Sequence, residues 1–325
     1  MSMKKWRPGR KSDMCGLFGF SNYGKNLSAL QINSLTEALA TESAVRGTDA
    51  TGISYNAGDK LKIEKAAKSA YLMDFRLPKD TAALIGHTRH STQGSCRKWY
   101  NNHPFQGSLP GGGAFALAHN GIIGNDKALR ESCRLPKTKV ETDSYVAVQL
   151  LEREKSLSFS SMKAMAEALR GSFTFSLLDD RNNIYWVKGD SPLHILHLKR
   201  LKLYVYASTE QILWRALSTS MLSELKSGSF EEIPADEGEI LRLSSEGVIT
   251  RGSFAYLSNY FMSGIYHWWD AGDLCDDTEE DYVAELKSMA GGFGYTSEEI
   301  DGMLQSGYSP EEIEDRFYCD SYPLR

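Results

Sequence analysis

Two adjacent stretches of helical periodicity, residues 143–154 and 160–170, interrupt a chain that otherwise reads as short strands. This ordering constrains the fold more than any other feature. Val146, Val148, Leu150 and Leu151 fit one buried helix face, and Met162, Met165, Ala166 and Leu169 fit another. Ahead of the pair, Cys15-Gly-Leu-Phe-Gly-Phe20 is an apolar run closed by turn residues, which predicts a buried strand. A helix is predicted over residues 28–45, with Ser28 as N-cap and Leu30, Leu35, Ala38, Leu39 and Ala40 at near-helical spacing. Strand-like runs follow at Gly52–Tyr55, Leu61–Ala66, Ala82–His87, Ala114–Ala118 and Ile122–Ile123. Beyond the helical pair they return at Ser172–Leu178, Ile184–Lys188, Leu193–Leu198, Lys202–Ala207 and Glu239–Leu243. Strands, a helical pair and strands again predict two packed sheets covered by helices, an α+β layered fold rather than a regularly alternating parallel sheet.

Composition and charge narrow the classes further. With 325 residues, 41% hydrophobic and 24% charged, the chain has the balance of a folded globular protein, not of a disordered or fibrous one. No run approaches the roughly 18 apolar residues of a membrane helix, and the basic N-terminus lacks the apolar segment of a secretory signal, so a cytoplasmic protein without a membrane partner is expected. Five cysteines (Cys15, Cys96, Cys133, Cys275, Cys319) without CxxC spacing predict neither a disulfide framework nor a metal site. No phosphate-cradling GxxxxGK[ST] loop occurs, and no cofactor is implied. From Asp270 onward 16 acidic residues face three basic ones, whereas the preceding 269 residues carry 34 basic and 26 acidic. That step predicts a boundary near residues 255–275. The basic body lacks a finger, helix-turn-helix or aromatic-basic module, so no nucleic-acid partner is expected.

The ends differ in character from the middle. Residues 1–14 are basic, carry Pro8 and Gly9, and read as a leader or propeptide. An aromatic cluster (Tyr256, Tyr260, Phe261, Tyr266, Trp268, Trp269) leads into an acidic helical tail. The tail holds a near repeat, Gly294-Tyr-Thr-Ser-Glu-Glu-Ile300 and Gly307-Tyr-Ser-Pro-Glu-Glu-Ile313, each copy with an N-cap candidate (Thr296 or Ser297; Ser309 before Pro310) opening a short helix. The expected division is a leader over 1–14, a catalytic domain over 15–255, and an aromatic linker with acidic helical tail over 256–325. The tail is expected to be dispensable for chemistry and to dock on another protein.

Five segments carry a resemblance: Met14-Cys-Gly-Leu-Phe-Gly19, Arg46-Gly-Thr-Asp-Ala-Thr-Gly52, Gly86-His-Thr-Arg-His-Ser-Thr-Gln-Gly94, Ala118-His-Asn-Gly-Ile-Ile123 and Glu141-Thr-Asp-Ser144. In this order and spacing they resemble class II glutamine amidotransferases, the N-terminal-nucleophile hydrolases that include the glutaminase domains of glucosamine-6-phosphate synthase and amidophosphoribosyltransferase. The downstream Gly189-Asp-Ser-Pro-Leu193 and Tyr206-Ala-Ser-Thr209 resemble the second half of the same family. His90 and Gln93 depart from its usual pattern. The resemblance implies a four-layer αββα sandwich of two antiparallel sheets. It also implies a γ-glutamyl thioester on Cys15, an oxyanion hole from the Asn120 side chain and the Gly121 N–H, and a glutamine clamp in which Arg89, assisted by Thr92, holds the α-carboxylate while Asp143 holds the α-ammonium. Arg46 is implied to brace the nucleophile, with an ion pair to Asp49 as the competing reading. His119 is expected to be packed, not catalytic.

The chemistry suits these residue types. A thiolate is a strong nucleophile that needs a base, and an N-terminal residue can use its own α-amine, whose ordinary pKa of about 7.7–8.0 lies near that of a cysteine. This requires Cys15 at a chain terminus, so the preceding fourteen residues are expected to be removed or Met14 to be the true start. An oxyanion needs preorganised donors, and a side chain at 121 is expected to crowd the tetrahedral carbon. A guanidinium and a carboxylate at the far end would read an amino acid and not merely an amide. Asp143 is also expected to cap the helix that follows.

The leading expectation is therefore a glutaminase subunit that hydrolyses L-glutamine to glutamate and ammonia for a separate synthase or ligase. Two alternatives stay open: an amidohydrolase acting on another γ-glutamyl or peptide amide without an acceptor, and an inactive binding protein whose tail recruits a partner.

Overall fold

Alternation along each strand decides which of three cores its side chains enter. The computed structural model describes residues 15–58, 60–222, 230–257 and 295–308, with positions 283, 287 and 313. The leader, the aromatic cluster after Tyr256 and the second tail repeat from Ser309 to Glu312 lie outside them.

One sheet has seven strands. Its members are β1 (Gly16–Ser21), β2 (Ala50–Ala57), β3 (Lys60–Ala66), β4 (Ala83–Arg89), β9 (His194–Leu198), β10 (Leu203–Ala207) and β11 (Glu231–Ile233), ordered β11-β9-β10-β1-β4-β2-β3. The other sheet contains β5 (Phe105–Ser108), β6 (Ala114–Ile123), β7 (Gly171–Asp179), β8 (Ile184–Lys188), β12 (Glu239–Leu243) and β13 (Ile249–Ser253), ordered β13-β12-β8-β7-β6-β5. Every pairing is antiparallel.

On β1, Phe18 and Phe20 face α1 (Ala29–Ser43) and α5 (Glu210–Thr219), joining Ile32, Leu35, Leu39, Ile212 and Leu213 in one core. Leu17 points the other way, into the layer between the sheets with Ile85, Ala118, Leu178, Trp186 and Leu241. On β7, Phe173, Phe175 and Leu177 face α3 (Tyr145–Glu154) and α4 (Phe159–Ala168), packing against Val146, Leu150, Met162 and Met165. The result is helices, sheet, sheet, helices: the four-layer α+β sandwich expected from the sequence.

The inter-sheet layer is not wholly apolar. Tyr206 and Ser176, both buried, share a hydrogen bond of 2.6 Å between strands of opposite sheets. Tyr206→Phe is expected to cost about 1–3 kcal/mol, because the Ser176 hydroxyl then loses its partner away from water. Adding Ser176→Ala should recover part of that loss, as read by denaturant unfolding; additive losses would show that the pair does not matter.

Local differences from the sequence reading have physical causes. The two runs expected at 114–118 and 122–123 are one ten-residue strand, β6, which continues through His119, Asn120 and Gly121 instead of turning there. β7 pairs along its whole length, from Phe115↔Asp179 to Ile123↔Gly171, and tertiary pairing overrides the turn preference of Asn-Gly. The α2 helix (Asp126–Ser132) and α5 have no counterpart in the sequence reading. The chain divides after Met262 into two compact units. In the second, the α6 helix (Ser297–Gln305) opens with a capping box between Thr296 and Glu299, and Ile300 packs with Ile313.

Candidate active site

Strand residues from four of the motif segments, and the loop before α3 that carries the fifth, come together around Cys15. Cys15 immediately precedes β1, whose Gly16 lies opposite Thr88 on β4. β4 ends at Arg89, so nucleophile candidate and guanidinium emerge on neighbouring strands at the same level. The Cys15 thiol donates to the His90 carbonyl at 3.3 Å. Arg46, just beyond α1, donates from Nε to the Cys15 carbonyl at 2.9 Å, and thus holds the main chain at Cys15. Asp49 uses Oδ2 to accept from the Ser91 N–H at 2.7 Å, pinning the loop after Arg89.

Burial pushes the Cys15 thiol up to about 11, opposed by the His90 carbonyl contact and the guanidinium groups of Arg89 and Arg46, and reinforced by the Asp143 carboxylate. Cys15 is only half-buried as a residue, so water reaching it moderates the shift. A thiol held in this way is protonated at neutral pH and would need a base in order to act as a nucleophile.

Asn120 is completely buried in β6. Its Nδ2 donates to the Ser208 hydroxyl over a long 3.4 Å, and that hydroxyl also accepts from the Leu17 N–H at 2.8 Å. Ser208 therefore ties the amide of Asn120 to the main chain two residues after Cys15. Its position directly after β10 falls in the Tyr206-Ala-Ser-Thr209 segment, the only sequence signal for it.

Gly121 has φ +131°, and a Cβ there would stand 2.1 Å from the Ser172 carbonyl oxygen. Backbone close to β7 thus excludes any side chain at 121, a requirement for glycine that is independent of any reacting carbon.

Asp143 is buried and accepts from the Ile123 N–H at 2.6 Å through Oδ2 and from the Ser144 hydroxyl at 3.3 Å through Oδ1. It does not cap α3, as the sequence suggested. Ser144 occupies the cap position without a side-chain cap hydrogen bond, its hydroxyl being engaged with Asp143 and His119, while the Asp143 carboxylate turns toward β6.

Arg89 is 3% exposed and heavily engaged. Nη1 donates to Asn102 Oδ1 at 2.7 Å, and Nη2 donates to the carbonyls of Gln93 and Gly94 at 2.7 and 2.6 Å. A two-pronged hold on a carboxylate by Arg89 is therefore not preformed, since both Nη2 hydrogens are already used. Thr92 lies exposed on the intervening loop, outside this buried cluster. Gln93 reaches across to the Glu141 carbonyl at 2.8 Å, and Lys98 pairs with the Glu141 carboxylate.

Three histidines form the floor. His87 contacts the His119 carbonyl through Nε2 at 2.9 Å and lies 4.2 Å, centroid to centroid, from His103. His119 stacks on Phe175 at 4.7 Å and meets the Ser144 hydroxyl at 2.8 Å. Burial pushes His87 down to about 3, His103 well below its ordinary value, and His119 down as well, so the floor is uncharged at neutral pH. Asn102, His103 and Ser208 are site residues that sequence reasoning did not single out.

Among the described residues no group of three or more His, Cys, Asp or Glu side chains is placed to hold a metal ion, and none of their helices is long and apolar enough to cross a membrane.

Residues 87–215 match the glutamine amidotransferase domain family. The glutamine–fructose-6-phosphate aminotransferase (isomerizing) of Staphylococcus aureus is 34% identical over 193 residues, covering 55% of this chain and 30% of the relative. Its counterpart in Staphylococcus epidermidis is 33% identical over 190 residues, with the same shares. The chain thus spans under a third of the length of these curated relatives. Among solved structures, the glutamine phosphoribosylpyrophosphate amidotransferase of B. subtilis with ADP and GMP superposes with a TM-score of 0.57 at 20% identity, over 74% of this chain and 49% of the other. An allosteric regulatory enzyme of purine biosynthesis gives 0.56 at 20% identity, over 75% and 50%. At that identity the likeness is one of fold. Sandwich, matched segment and relatives together support a class II glutamine amidotransferase domain in this chain.

Proposed function

We propose that the chain hydrolyses L-glutamine to glutamate and ammonia through a γ-glutamyl thioester on Cys15, and delivers the ammonia to a separate synthase or ligase. The observation that supports this most is the convergence of Cys15, Arg89 and Asp143: both charged groups act on the thiol, and the buried amide of Asn120 is tied to the same strand.

In this mechanism the α-amine of Cys15, released by cleavage of the Met14–Cys15 bond, takes the thiol proton as sulfur attacks the side-chain amide carbon. The negative charge moves to the amide oxygen, where Asn120 Nδ2 and the Gly121 N–H donate. Collapse of the tetrahedral intermediate returns the proton to the leaving nitrogen, expelling ammonia and leaving the thioester. Water, deprotonated by the same α-amine, then attacks the thioester carbon, and glutamate leaves as the thiol is restored. Asp143 holds the substrate ammonium. Arg89 holds its α-carboxylate once the loop at Gln93 and Gly94 yields an Nη2 hydrogen.

Arg89→Ala is expected to raise the KM for glutamine by about 30-fold or more while kcat changes less, because the α-carboxylate is bound in both ground and transition states. A kcat loss without a KM change would remove the clamp assignment. N-terminal mass analysis supplies the companion test. A turnover-competent protein that retains residues 1–14 would overturn the α-amine mechanism.

A further inference from the structure

The third strand carries an anomaly in its alternation. On β3 the side chains of Leu61 and Ile63 pack against the core between the sheets, and the next position on that face is Lys65. A lysine stands where the period calls for an apolar residue. Its ammonium turns to main-chain acceptors. It donates to the carbonyls of Asn102 and Pro104, the latter at 3.0 Å, and lies 5.0 Å from the ring centre of Phe105 and 5.7 Å from that of Trp99. None of these contacts is a carboxylate. Burial pushes Lys65 down to about 8, and Arg89 adds to the shift. A half-buried ammonium with no carboxylate partner among the described residues loses hydration without a counter-ion, so its retention needs a return elsewhere.

The two carbonyls bracket His103. The chain there crosses β2 so closely that a Cβ at Gly52, the register partner of Lys65, would stand 2.1 Å from the His103 oxygen. Lys65 thus clasps this crossing from one side. Asn102, at one end of the clasp, is the residue whose Oδ1 accepts from Arg89 Nη1 at 2.7 Å and whose Nδ2 donates to the Cys96 carbonyl at 2.7 Å.

We propose that Lys65 is a positioning residue for recognition of the α-carboxylate of glutamine: by fixing the Asn102–Pro104 crossing it holds Asn102 against Arg89 and so sets the guanidinium in place. Its positive charge also adds to the potential that an incoming carboxylate meets. The inference rests on the glutaminase reading and deepens it, since it concerns one end of the substrate only.

That restriction gives a test which a general structural role would not meet. Lys65→Met keeps the apolar stem and removes the ammonium. With L-glutamine, KM should rise about 10-fold, the effect of losing a charge-assisted hydrogen bond, while kcat stays within about twofold. With 4-aminobutanamide, which has the side-chain amide and amine of glutamine but no α-carboxylate, kcat/KM should be the same for wild type and Lys65→Met. Lys65→Arg, which restores a cation able to reach both carbonyls, should recover most of the glutamine KM. Equal losses on both substrates, or no loss on glutamine, would overturn the proposal. Should Lys65→Met fail to fold, as judged by thermal unfolding, Lys65→Gln is compared on the same two substrates: a loss confined to glutamine supports the proposal, and equal losses or none overturn it. A wild-type protein that turns over neither substrate would instead sink the glutaminase reading, and this inference with it.

Discussion

Cys15→Ala should lower glutamine hydrolysis by about a thousandfold or more, and Cys15→Ser nearly as far, because covalent catalysis has no second route once the sulfur is gone. The fold should survive. Cys15 precedes β1, is half-buried, and belongs to none of the three cores, so the unfolding midpoint of either variant should stay close to wild type. Serine is the more telling substitution, since it keeps the shape and the possible contact to the His90 carbonyl while replacing a thiol by a far weaker acid. A glutamine analogue with a diazo-ketone in place of the amide should alkylate Cys15 alone among the five cysteines. Cys96 and Cys133 are also free and half-buried, so accessibility alone would not spare them. Selectivity for Cys15 would therefore report a site that binds the analogue's amino-acid end. Labelling at Cys96 or Cys133, or either variant turning over at the wild-type rate, would remove the nucleophile assignment.

The layers of the sandwich are legible in the sequence because hydrophobic period reports burial directly. Phe18 and Phe20 alternate with Leu17, and Val146, Leu150, Met162 and Met165 sit at helical spacing, so faces and partners follow. The short edge strands β5, β11 and β13 are not, since Glu231-Glu-Ile233 and Ile249–Ser253 carry little apolar signal and are recruited by a neighbouring strand. The placement of Cys15, Arg89, Asn120 and Asp143 at one end follows from resemblance, whereas the contacts that hold them do not. Asn102 and Ser208 lie 13 and 88 residues from the groups they touch, and no periodicity links them. Asp143 shows the opposite failure. An acidic residue just before a helix reads locally as a cap, and only the three-dimensional approach of β6 shows that its carboxylate is used at Ile123 instead. Lys65 is visible in the sequence as a break in alternation, but what such a break means depends on what lies opposite.

The oxyanion donor should separate from the binding residues in kinetics. Asn120 Oδ1 has no protein partner among the described residues, and Nδ2 is engaged only over 3.4 Å, so the amide is enclosed yet weakly committed. Such a group is poised to donate to charge that arises during reaction, and its fixed direction spares any reorganisation at that moment. Asn120→Ala is therefore expected to lower kcat by about 100- to 1,000-fold, equivalent to about 2.7–4 kcal/mol, with the KM for glutamine changing less than about threefold. Asn120→Asp tests the sign of the effect. It preserves volume but presents carboxylate oxygens to the developing negative charge and to a site already holding Asp143, so it should be at least as damaging as alanine. A stability loss could mimic either result, because the side chain is fully buried; glutamate binding by calorimetry distinguishes them. Variants with wild-type glutamate affinity and reduced kcat support the oxyanion role. An Asn120→Ala protein with unchanged kcat, or one that loses glutamate affinity in step with activity, would assign Asn120 to the scaffold and leave the Gly121 N–H as the donor to be tested next.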